Sequence, residues 1–479
     1  MSPETKEQSI GITLSGGGFR ATIFSLGVLY YLVERGLGKR IRYVASVSGG
    51  SVTNGYVADE CDLSSVKPEQ FQEIVRTMGR KVAHEGLFGS LPVLVWLLGT
   101  ALILVVGMAV TIWAGTAVVR ALAVGTTLLL AASALHLRGA ALSWALGWQF
   151  FRRDGRYTKL QDLLELPIRH VLIVTELSSG RPVFIEPQWI HGPGMGEAYG
   201  KPGHLRLCRA VRWSCTVPLL LPPGQVRTST LSPENAIRGE NLKLPLSLSM
   251  VDGGVYNNLG TDYHKVKSSS SFGTRPEGFY KAPEADLKIS VDCSGALGET
   301  RLKFIHIPVL SELLALPRNI SILYQNTILP RLESGTPTIS IGLSPKMQQF
   351  VGPGKSSMGP ELADHFKRAR EVGEYFREHF ETHHEEEKIF NDLAKSSGQV
   401  PTTFGALGEE VTARLLWHGY MSALAVSYSA FGIKPPDDIC QRTIYHFRRL
   451  VSDVPDSIAD PWKGTHHRCE PIRAIRGVQ

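Results

Sequence analysis

Two short stretches of the 479-residue chain carry residue types that could perform nucleophilic chemistry. Ser48 lies between an apolar, β-branched run and two glycines, and a helix-compatible segment follows. A serine at such a strand-to-helix turn exposes its hydroxyl, although Ser46 stands where the usual G-x-S-x-G pattern has its first glycine. Asp252 ends another apolar run and also precedes two glycines. A serine at such a turn suits nucleophilic chemistry, but each stretch alone is also an ordinary turn sequence.

A third stretch could hold an anion. Gly16, Gly17 and Gly18 follow the apolar run Ile10–Leu14 and precede an apolar-periodic segment, which predicts a strand, a turn and a helix. Glycines let successive backbone N–H groups point at an anion at the start of a helix. The glycines alone do not indicate which anion would be bound.

The same glycines fit the G-x-G-x-x-A pattern of dinucleotide-binding folds. Such folds need an acidic residue about 20 positions later, at the end of the second strand. Here the second predicted strand, 43–47, follows Lys39, Arg40 and Arg42 and ends in serines. The missing acid disfavours an NAD site, and an NADP site that uses Arg42 is hardly better supported.

Together and in this order, the motifs resemble the patatin-like phospholipase family and, more distantly, the catalytic domain of cytosolic phospholipase A2. Four blocks carry the likeness: Gly16-Gly17-Gly18-Phe19-Arg20, Ser46-Val47-Ser48-Gly49-Gly50-Ser51, Ala210-Val211-Arg212-Trp213-Ser214-Cys215-Thr216-Val217-Pro218 and Asp252-Gly253-Gly254. The likeness covers roughly residues 9–85 and 165–295. It implies a three-layer α/β fold with a mainly parallel central sheet.

The resemblance also implies roles for the site residues. Ser48 would attack an ester carbonyl and form an acyl-enzyme, and Asp252 would accept the proton and later activate water. A carboxylate is a weak base unless burial raises its pKa, so Asp252 is expected in a poorly solvated pocket. The N–H groups of Gly16, Gly17 and Gly18 would form the oxyanion hole.

Other polar residues have less defined roles. By the same resemblance, Arg20 is expected to bind the substrate phosphate or to position the glycine turn. His264 could complete a Ser–Asp–His triad, but no loop signature frames it. His383 and His384 are adjacent, so on a helix they point to different sides and suggest a solvated face rather than a metal site. No metal is expected, calcium included, because no acidic calcium-binding loop is present, and no organic cofactor is expected.

The segment after the nucleophile block is unusually apolar. No charged residue occurs from 89 to 119, and after Arg120 none occurs until Arg138. Residues 91–113 meet the length of about 20 residues that a spanning helix needs, and 117–137 forms a second, more marginal candidate. A buried hairpin of a soluble domain is the alternative, but such helices rarely lack a polar face over two consecutive segments. The sequence therefore predicts a transmembrane helical hairpin that enters the bilayer through residues 91–137.

Basic residues flank this insert on both sides: Arg76, Arg80 and Lys81 precede it, and Arg138, Arg152 and Arg153 follow it. The positive-inside rule places both flanks, and with them the catalytic domain, on the cytoplasmic side of the membrane. Two crossings or a shallow re-entrant hairpin would satisfy this charge pattern. The six cysteines are scattered and the polar amino terminus has no leader pattern, so reduced thiols in a cytosolic setting are expected.

These patterns divide the chain into five parts. We expect a catalytic core at 9–88 and 151–300, the membrane hairpin at 89–150, a mainly helical extension at 301–455 and a loose tail at 456–479. Within the extension, the charged stretch 360–393 predicts exposed helices. Residues 408–431 predict a helix packed on the core.

The composition is compatible with a membrane enzyme. The chain is 43% hydrophobic and 20% charged, with a net charge of +7 and interspersed acids and bases. This disfavours dedicated nucleic-acid binding and permits attraction to an anionic membrane. The expected function is a membrane-associated serine hydrolase that cleaves acyl esters of membrane lipids, most simply glycerophospholipids. Neutral-lipid substrates and a non-hydrolytic membrane scaffold remain alternatives, and the sequence does not indicate the oligomeric state.

Overall fold

A computed structural model describes residues 8–192, 197–200, 202–218, 221–231, 246–265, 283–293, 338–342, 367–368, 371–372, 396–436, 439 and 442–452. His383, His384, the tail at 456–479 and most of the stretch 360–393 lie outside the described residues. The expectations for them stay predictions.

The described strands are β1 (Ile10–Leu14), β2 (Ile41–Val47), β3 (Arg152–Arg153), β4 (Arg156–Tyr157), β5 (Arg169–Glu176), β6 (Arg181–Ile185), β7 (Ile190–Gly192), β8 (Glu197–Gly200), β9 (Gly224–Arg227), β10 (Ser247–Asp252), β11 (Leu287–Asp292) and β12 (Thr338–Gly342). Within the described part of the chain, ten of them form one mixed sheet, and β3 pairs only with β4. The order β12-β11-β1-β2-β5 is parallel throughout. This block confirms the predicted parallel centre, while β6, β7 and β8 extend the sheet with antiparallel pairs.

Two strands meet end to end along one edge of β5. β2 runs parallel to β5, and its last residue, Val47, lies opposite Ile173. β10 runs antiparallel to β5, and its last residue, Asp252, lies opposite Val174. β6 occupies the other edge of these β5 positions. The ends of β2 and β10 are therefore neighbours in space, although more than 200 residues separate them in sequence.

The described helices are α1 (Gly18–Glu34), α2 (Gly49–Glu60), α3 (Pro68–Arg80), α4 (Leu91–Trp113), α5 (Ala117–Gln149), α6 (Leu207–Ser214), α7 (Glu409–Phe431) and α8 (Ile444–Val451). They contribute to a large hydrophobic cluster on one face of the sheet, while Tyr43, Ala45 and Val47 of β2 belong to a smaller cluster on the other face. Alternate strand residues point to opposite faces, which explains this division. The α/β class is confirmed, and a helical layer on the second face stays a prediction.

The buried helix α1 packs closely against α7. A Cβ atom on Gly27 would lie 2.2 Å from the carbonyl oxygen of Leu416, and one on Gly419 would lie 2.1 Å from that of Phe24. Two glycines thus let the helix backbones approach at their crossing. The predicted helix at 408–431 is confirmed at Glu409–Phe431, and so is its packing against the catalytic core.

The two apolar helices form an antiparallel pair that projects from the core. Helix α4 has the predicted bounds, but α5 continues beyond the predicted end at 137 to Gln149. The extra turns form because residues such as Leu142 and Ala145 are buried against the core. Only 11% of the most apolar window of α4, and 6% of that of α5, is buried. By length and composition, both helices could cross a membrane, and their most apolar windows are largely exposed.

Gly27→Ala should destabilise the protein. Alanine normally favours a helix interior by about 1 kcal/mol relative to glycine, but here its methyl group would overlap the backbone of α7. Overpacking of this kind costs about 1–3 kcal/mol. We expect a lower thermal unfolding midpoint in detergent. Gly125→Ala in α5 is the control, because nothing lies within 4 Å of the added Cβ; a higher midpoint for Gly27→Ala would contradict the packing argument.

Candidate active site

Ser48 lies at the sharp turn between β2 and α2. Its backbone has φ 49° and ψ −121°, a left-handed conformation that is uncommon for a residue other than glycine. The two following residues must lack side chains, since a Cβ on Gly49 would lie 2.0 Å from the carbonyl oxygen of Gly18, and one on Gly50 would lie 2.7 Å from that of Leu14. The predicted strand, turn and helix are present, and α2 begins directly beneath the serine.

The strained backbone of Ser48 is held by a neighbouring hydroxyl. The Ser48 N–H donates to Ser214 Oγ at 2.9 Å, and Ser214 Oγ in turn donates to the Ile173 carbonyl at 2.7 Å. The Ser51 hydroxyl lies 2.8 Å from Ser214 Oγ, and Cys215 Sγ donates to the Ser48 carbonyl at 3.1 Å. Helix α6 and strand β5 thus fix both the N–H and the C=O of Ser48.

The same network continues below the turn. Asn54 Nδ2 donates to Ser46 Oγ at 2.9 Å, and Ser51 Oγ lies 3.1 Å from the same atom. Ser46 donates its own proton to the Val171 carbonyl. His170 Nδ1 lies 2.7 Å from Asn54 Oδ1, and burial lowers the pKa of His170 to about 4, so this imidazole is neutral and donates from Nδ1. Ser46 therefore ties β2 to β5 beneath Ser48, which explains why a serine suits the first position of the turn motif.

Asp252 lies at the end of β10 and faces Ser48. Its backbone N–H donates to the Thr216 carbonyl at 2.8 Å, and one carboxylate oxygen accepts the Gly254 N–H at 2.7 Å. Burial raises the pKa of Asp252 to about 6, although the Gly254 N–H and the neighbouring Ser48 side chain both act in the opposite direction. With Ser48 5% exposed and Asp252 6% exposed, the pair is nearly dry.

The glycine turn lies beside this pair. The N–H of Gly16 donates to the Asn258 carbonyl at 3.1 Å. In the described residues no hydrogen bond engages the N–H of Gly17 or Gly18, which have φ 147° and 61° and begin α1. Only two of the three glycines expected in an oxyanion hole therefore have an N–H group available for a ligand.

Arg20 is buried beneath the turn. Its Nε donates to the Cys293 carbonyl at 3.2 Å, and another guanidinium nitrogen donates to the Val400 carbonyl at 2.5 Å. Of the two expected roles, these contacts support positioning of the glycine turn. Binding of substrate by Arg20 stays an untested prediction.

His264 binds Tyr43, since its Nδ1 lies 2.6 Å from the Tyr43 hydroxyl. Tyr43 precedes Ser48 by five positions, and five residues of an extended strand span about 16 Å. The geometry does not support a Ser48–Asp252–His264 triad. In the described residues no cluster of His, Cys, Asp and Glu could hold a metal ion.

Sequence reasoning missed Ser214, Asn258 and Thr403 as site-supporting residues. Ser214 stands in a recognised block, but nothing in the sequence indicates that its hydroxyl accepts the Ser48 N–H. Thr403, whose carbonyl accepts the Phe19 N–H, lies far beyond the blocks. Backbone carbonyls carry no sequence signal, so contacts of this kind are visible only in the fold.

Solved structures give distant matches to the whole chain. Human GIVD cytosolic phospholipase A2 matches with a TM-score of 0.46 and 15% identity over 94% of this chain and 62% of that chain. Its complex with methyl gamma-linolenyl fluorophosphonate matches with a TM-score of 0.41 and 17% identity, over 93% of this chain and 59% of that one. VipD from Legionella pneumophila matches with a TM-score of 0.28 and 14% identity over 95% of this chain and 94% of that chain. This chain thus spans less than two thirds of the human protein.

No curated protein sequence matches the chain significantly. The family model for patatin-like phospholipases, in contrast, matches residues 12–263, a range that includes the glycine turn, Ser48, Ser214 and Asp252. This match covers more than half of the sequence and includes all four blocks identified from the residues alone. The chain belongs to the patatin-like phospholipase family.

Proposed function

We propose that the protein is a membrane-associated serine hydrolase that cleaves acyl esters of glycerophospholipids through Ser48 and Asp252. The observation that carries the proposal is the juxtaposition of Ser48, directly after β2, with the buried Asp252 carboxyl at the end of β10, whose pKa burial raises to about 6. Such a carboxylate is ionised at neutral pH, yet it is basic enough to accept a proton during the attack.

The proposed reaction has two stages. In the first, Ser48 Oγ attacks the ester carbonyl carbon, Asp252 takes the hydroxyl proton, and the leaving alcohol accepts that proton as the ester C–O bond breaks. In the second, Asp252 takes a proton from water, the resulting hydroxide attacks the acyl-enzyme, and Ser48 leaves with the proton. The products are a free fatty acid and a lysolipid.

Backbone groups supply the electrostatic stabilisation. The unengaged N–H groups of Gly17 and Gly18 are the proposed oxyanion donors, each worth about 10²–10³ in rate. The positive amino-terminal end of α2, directly at Ser48, favours the same developing negative charge. Gly16 has a structural role in this scheme, because its N–H binds the Asn258 carbonyl.

A fluorophosphonate probe tests the nucleophile. The parent protein should be labelled and should release fatty acid from phospholipid vesicles. Ser48→Ala should abolish both, and Asp252→Asn should slow both by about 10²–10⁴, the usual contribution of a general base. Ser65→Ala is the matched control, because that exposed serine binds Asp62. Undiminished labelling of Ser48→Ala would disprove the assignment, and an unlabelled, inactive parent would favour the scaffold alternative. Mass spectrometry of the released lipids separates phospholipid from neutral-lipid substrates.

The pH profile tests Asp252. Because the proposed base must be ionised, kcat/KM should be constant above its pKa and fall tenfold per pH unit below it. The midpoint should lie near pH 6 rather than near 4, since burial raises the pKa of Asp252 to about 6. The measurement is kcat/KM for a soluble p-nitrophenyl ester between pH 4.5 and 8, with Asp252→Asn as control. A midpoint near pH 4 would contradict the dry carboxylate.

We also propose that α4 and α5 cross the bilayer as a hairpin and hold the site at the cytoplasmic surface. Helix α4 has 23 residues, which gives a length of about 35 Å and matches a bilayer core of about 30 Å. The tip carries Trp113, 88% exposed, and Arg120, which binds the Ala114 carbonyl. Aromatic and basic residues are typical of the membrane–water interface, which supports a full crossing over a shallow insertion.

Removing residues 91–137 should release the enzyme from membranes. The cut ends are close, because Trp96 Nε1 in α4 donates to the Ala134 carbonyl in α5. The packed end of α5 is retained, so the core should fold. We expect the variant in the soluble fraction with its soluble-ester activity intact and its vesicle activity reduced. Replacing only the tip residues 114–116 with Gly-Ser-Gly is the control and should leave the protein in the membrane. A deletion variant that still pellets with membranes would disprove the tether.

A further inference from the structure

Residues 400–408, here called the strap, lie against the glycine turn from the far end of the sequence. The Phe19 N–H donates to the Thr403 carbonyl at 2.8 Å, and Arg20 donates to the Val400 carbonyl. The two backbones touch, since a Cβ on Gly18 would lie 2.6 Å from the Thr403 oxygen. The strap therefore binds the chain at Phe19 and Arg20, immediately after Gly17 and Gly18.

The other end of the strap binds the base of the hairpin. The Leu87 N–H donates to the Phe404 carbonyl at 2.7 Å, while the Leu407 and Gly408 N–H groups donate to the carbonyls of Val82 and Ala83 at 3.1 and 3.0 Å. These backbone hydrogen bonds join residues 82–87, which lead directly into α4, to the segment that holds the glycine turn.

The carboxyl-terminal end of α5 contacts the segment that leads into α4. Gln149 Nε2 donates to the Gly86 carbonyl at 2.6 Å, and Lys81 Nζ donates to the Gln149 carbonyl at 2.6 Å. The ring of Phe19 packs edge-on against Phe150, just after α5, and against Phe404 of the strap. Both arms of the hairpin, the strap and the first residue after the glycines thus share one packed junction.

We propose that the strap is a positioning element of the oxyanion hole and links its geometry to the base of the hairpin. This inference rests on the proposed function. The turn at Gly17 and Gly18 uses dihedral angles that glycine adopts freely, so it needs external contacts to hold one conformation. Oxyanion donors act only within about 2.7–3.1 Å of the oxyanion, and a displacement of about 1 Å costs about 10² in rate. The strap supplies that constraint through Thr403, and the residues at 82–87 fix where the strap lies.

Gly86→Ala tests the link without altering the site itself. Gly86 has φ 58°, and an added Cβ would lie 2.2 Å from the Ala406 nitrogen, so the variant must displace the strap. Gly36→Ala is the control: Gly36 has φ 67°, and nothing lies within 4 Å of its added Cβ. Both variants place alanine at a positive φ, but Gly86 has ψ 176°, a region essentially restricted to glycine, and only Gly86→Ala also pushes on residues 400–408.

The full-length protein in detergent should show a selective loss. For a soluble p-nitrophenyl ester we expect kcat to fall about tenfold or more in Gly86→Ala with KM within about twofold, because binding of the small ester does not depend on the oxyanion donors. Gly36→Ala should keep kcat within about twofold of the parent. Equal losses of kcat in the two variants would overturn the proposal, since strain alone would then explain the effect.

Hydrogen exchange provides a reading independent of activity. The Phe19 amide, which binds Thr403, should exchange at least about tenfold faster in Gly86→Ala than in Gly36→Ala or the parent. Unchanged exchange at Phe19 would overturn the proposed link even if the enzyme is active. Conversely, if Ser48→Ala retains full activity, the proposed function fails while the exchange result still reports whether the strap holds the turn.

Discussion

Ser48 and Asp252 lie next to each other because β2 and β10 end at adjacent positions on the same edge of β5. β2 and β10 run toward each other along the same edge of β5, and each strand ends where it meets the other. Gly253 passes so close to β5 that a Cβ there would lie 2.6 Å from the Ile173 carbonyl. This end-to-end arrangement determines the distance between Ser48 and Asp252, and the helices and loops around it refine the orientation of the two side chains.

Burial makes the Asp252 carboxyl more basic. It also means that any nearby polar group without a hydrogen-bond partner would destabilise the folded protein. The hydroxyls of Ser46, Ser51 and Ser214 meet this requirement, because each binds another buried group and none competes for the Asp252 carboxyl. Neutral His170 closes the network far from the reacting atoms. The polar groups beneath the turn thus hold the strained Ser48 backbone, and Asp252 keeps a dry environment with few competing donors.

Local patterns in the sequence singled out Ser48 and Asp252 as candidates, and the resemblance to the patatin-like family supplied their expected roles. The strand, turn and helix predicted around Ser48 are present, and Asp252 ends a strand as predicted. The composition of residues 91–113 predicted the bounds of α4 without error. Contacts across the fold were not predictable in this way. The Gly16 N–H binds the Asn258 carbonyl and is therefore not available to a ligand, and α5 extends to Gln149. Both features depend on packing partners that no local pattern encodes. Arg20 illustrates the limit, since its residue type suits a phosphate and a backbone carbonyl equally well.

Helix α5 is continuous from its exposed apolar part to its packed end, so the hairpin and the catalytic core are connected without a flexible linker. A Cβ on Gly139 would lie 2.9 Å from Pro222, and Arg212 of α6 lies 3.3 Å from Ser143 of α5 and 3.3 Å from Thr216. Thr216 is the residue whose carbonyl accepts the Asp252 N–H. The residues that lead into α4 are linked to the glycine turn through the strap. The carboxyl-terminal end of α5 is linked through α6 to Thr216, and thus to Asp252. With residues 91–137 in a bilayer, as we propose, these two contact regions would fix the orientation of the site relative to the lipid surface. A hairpin attached through a mobile loop would not fix that orientation.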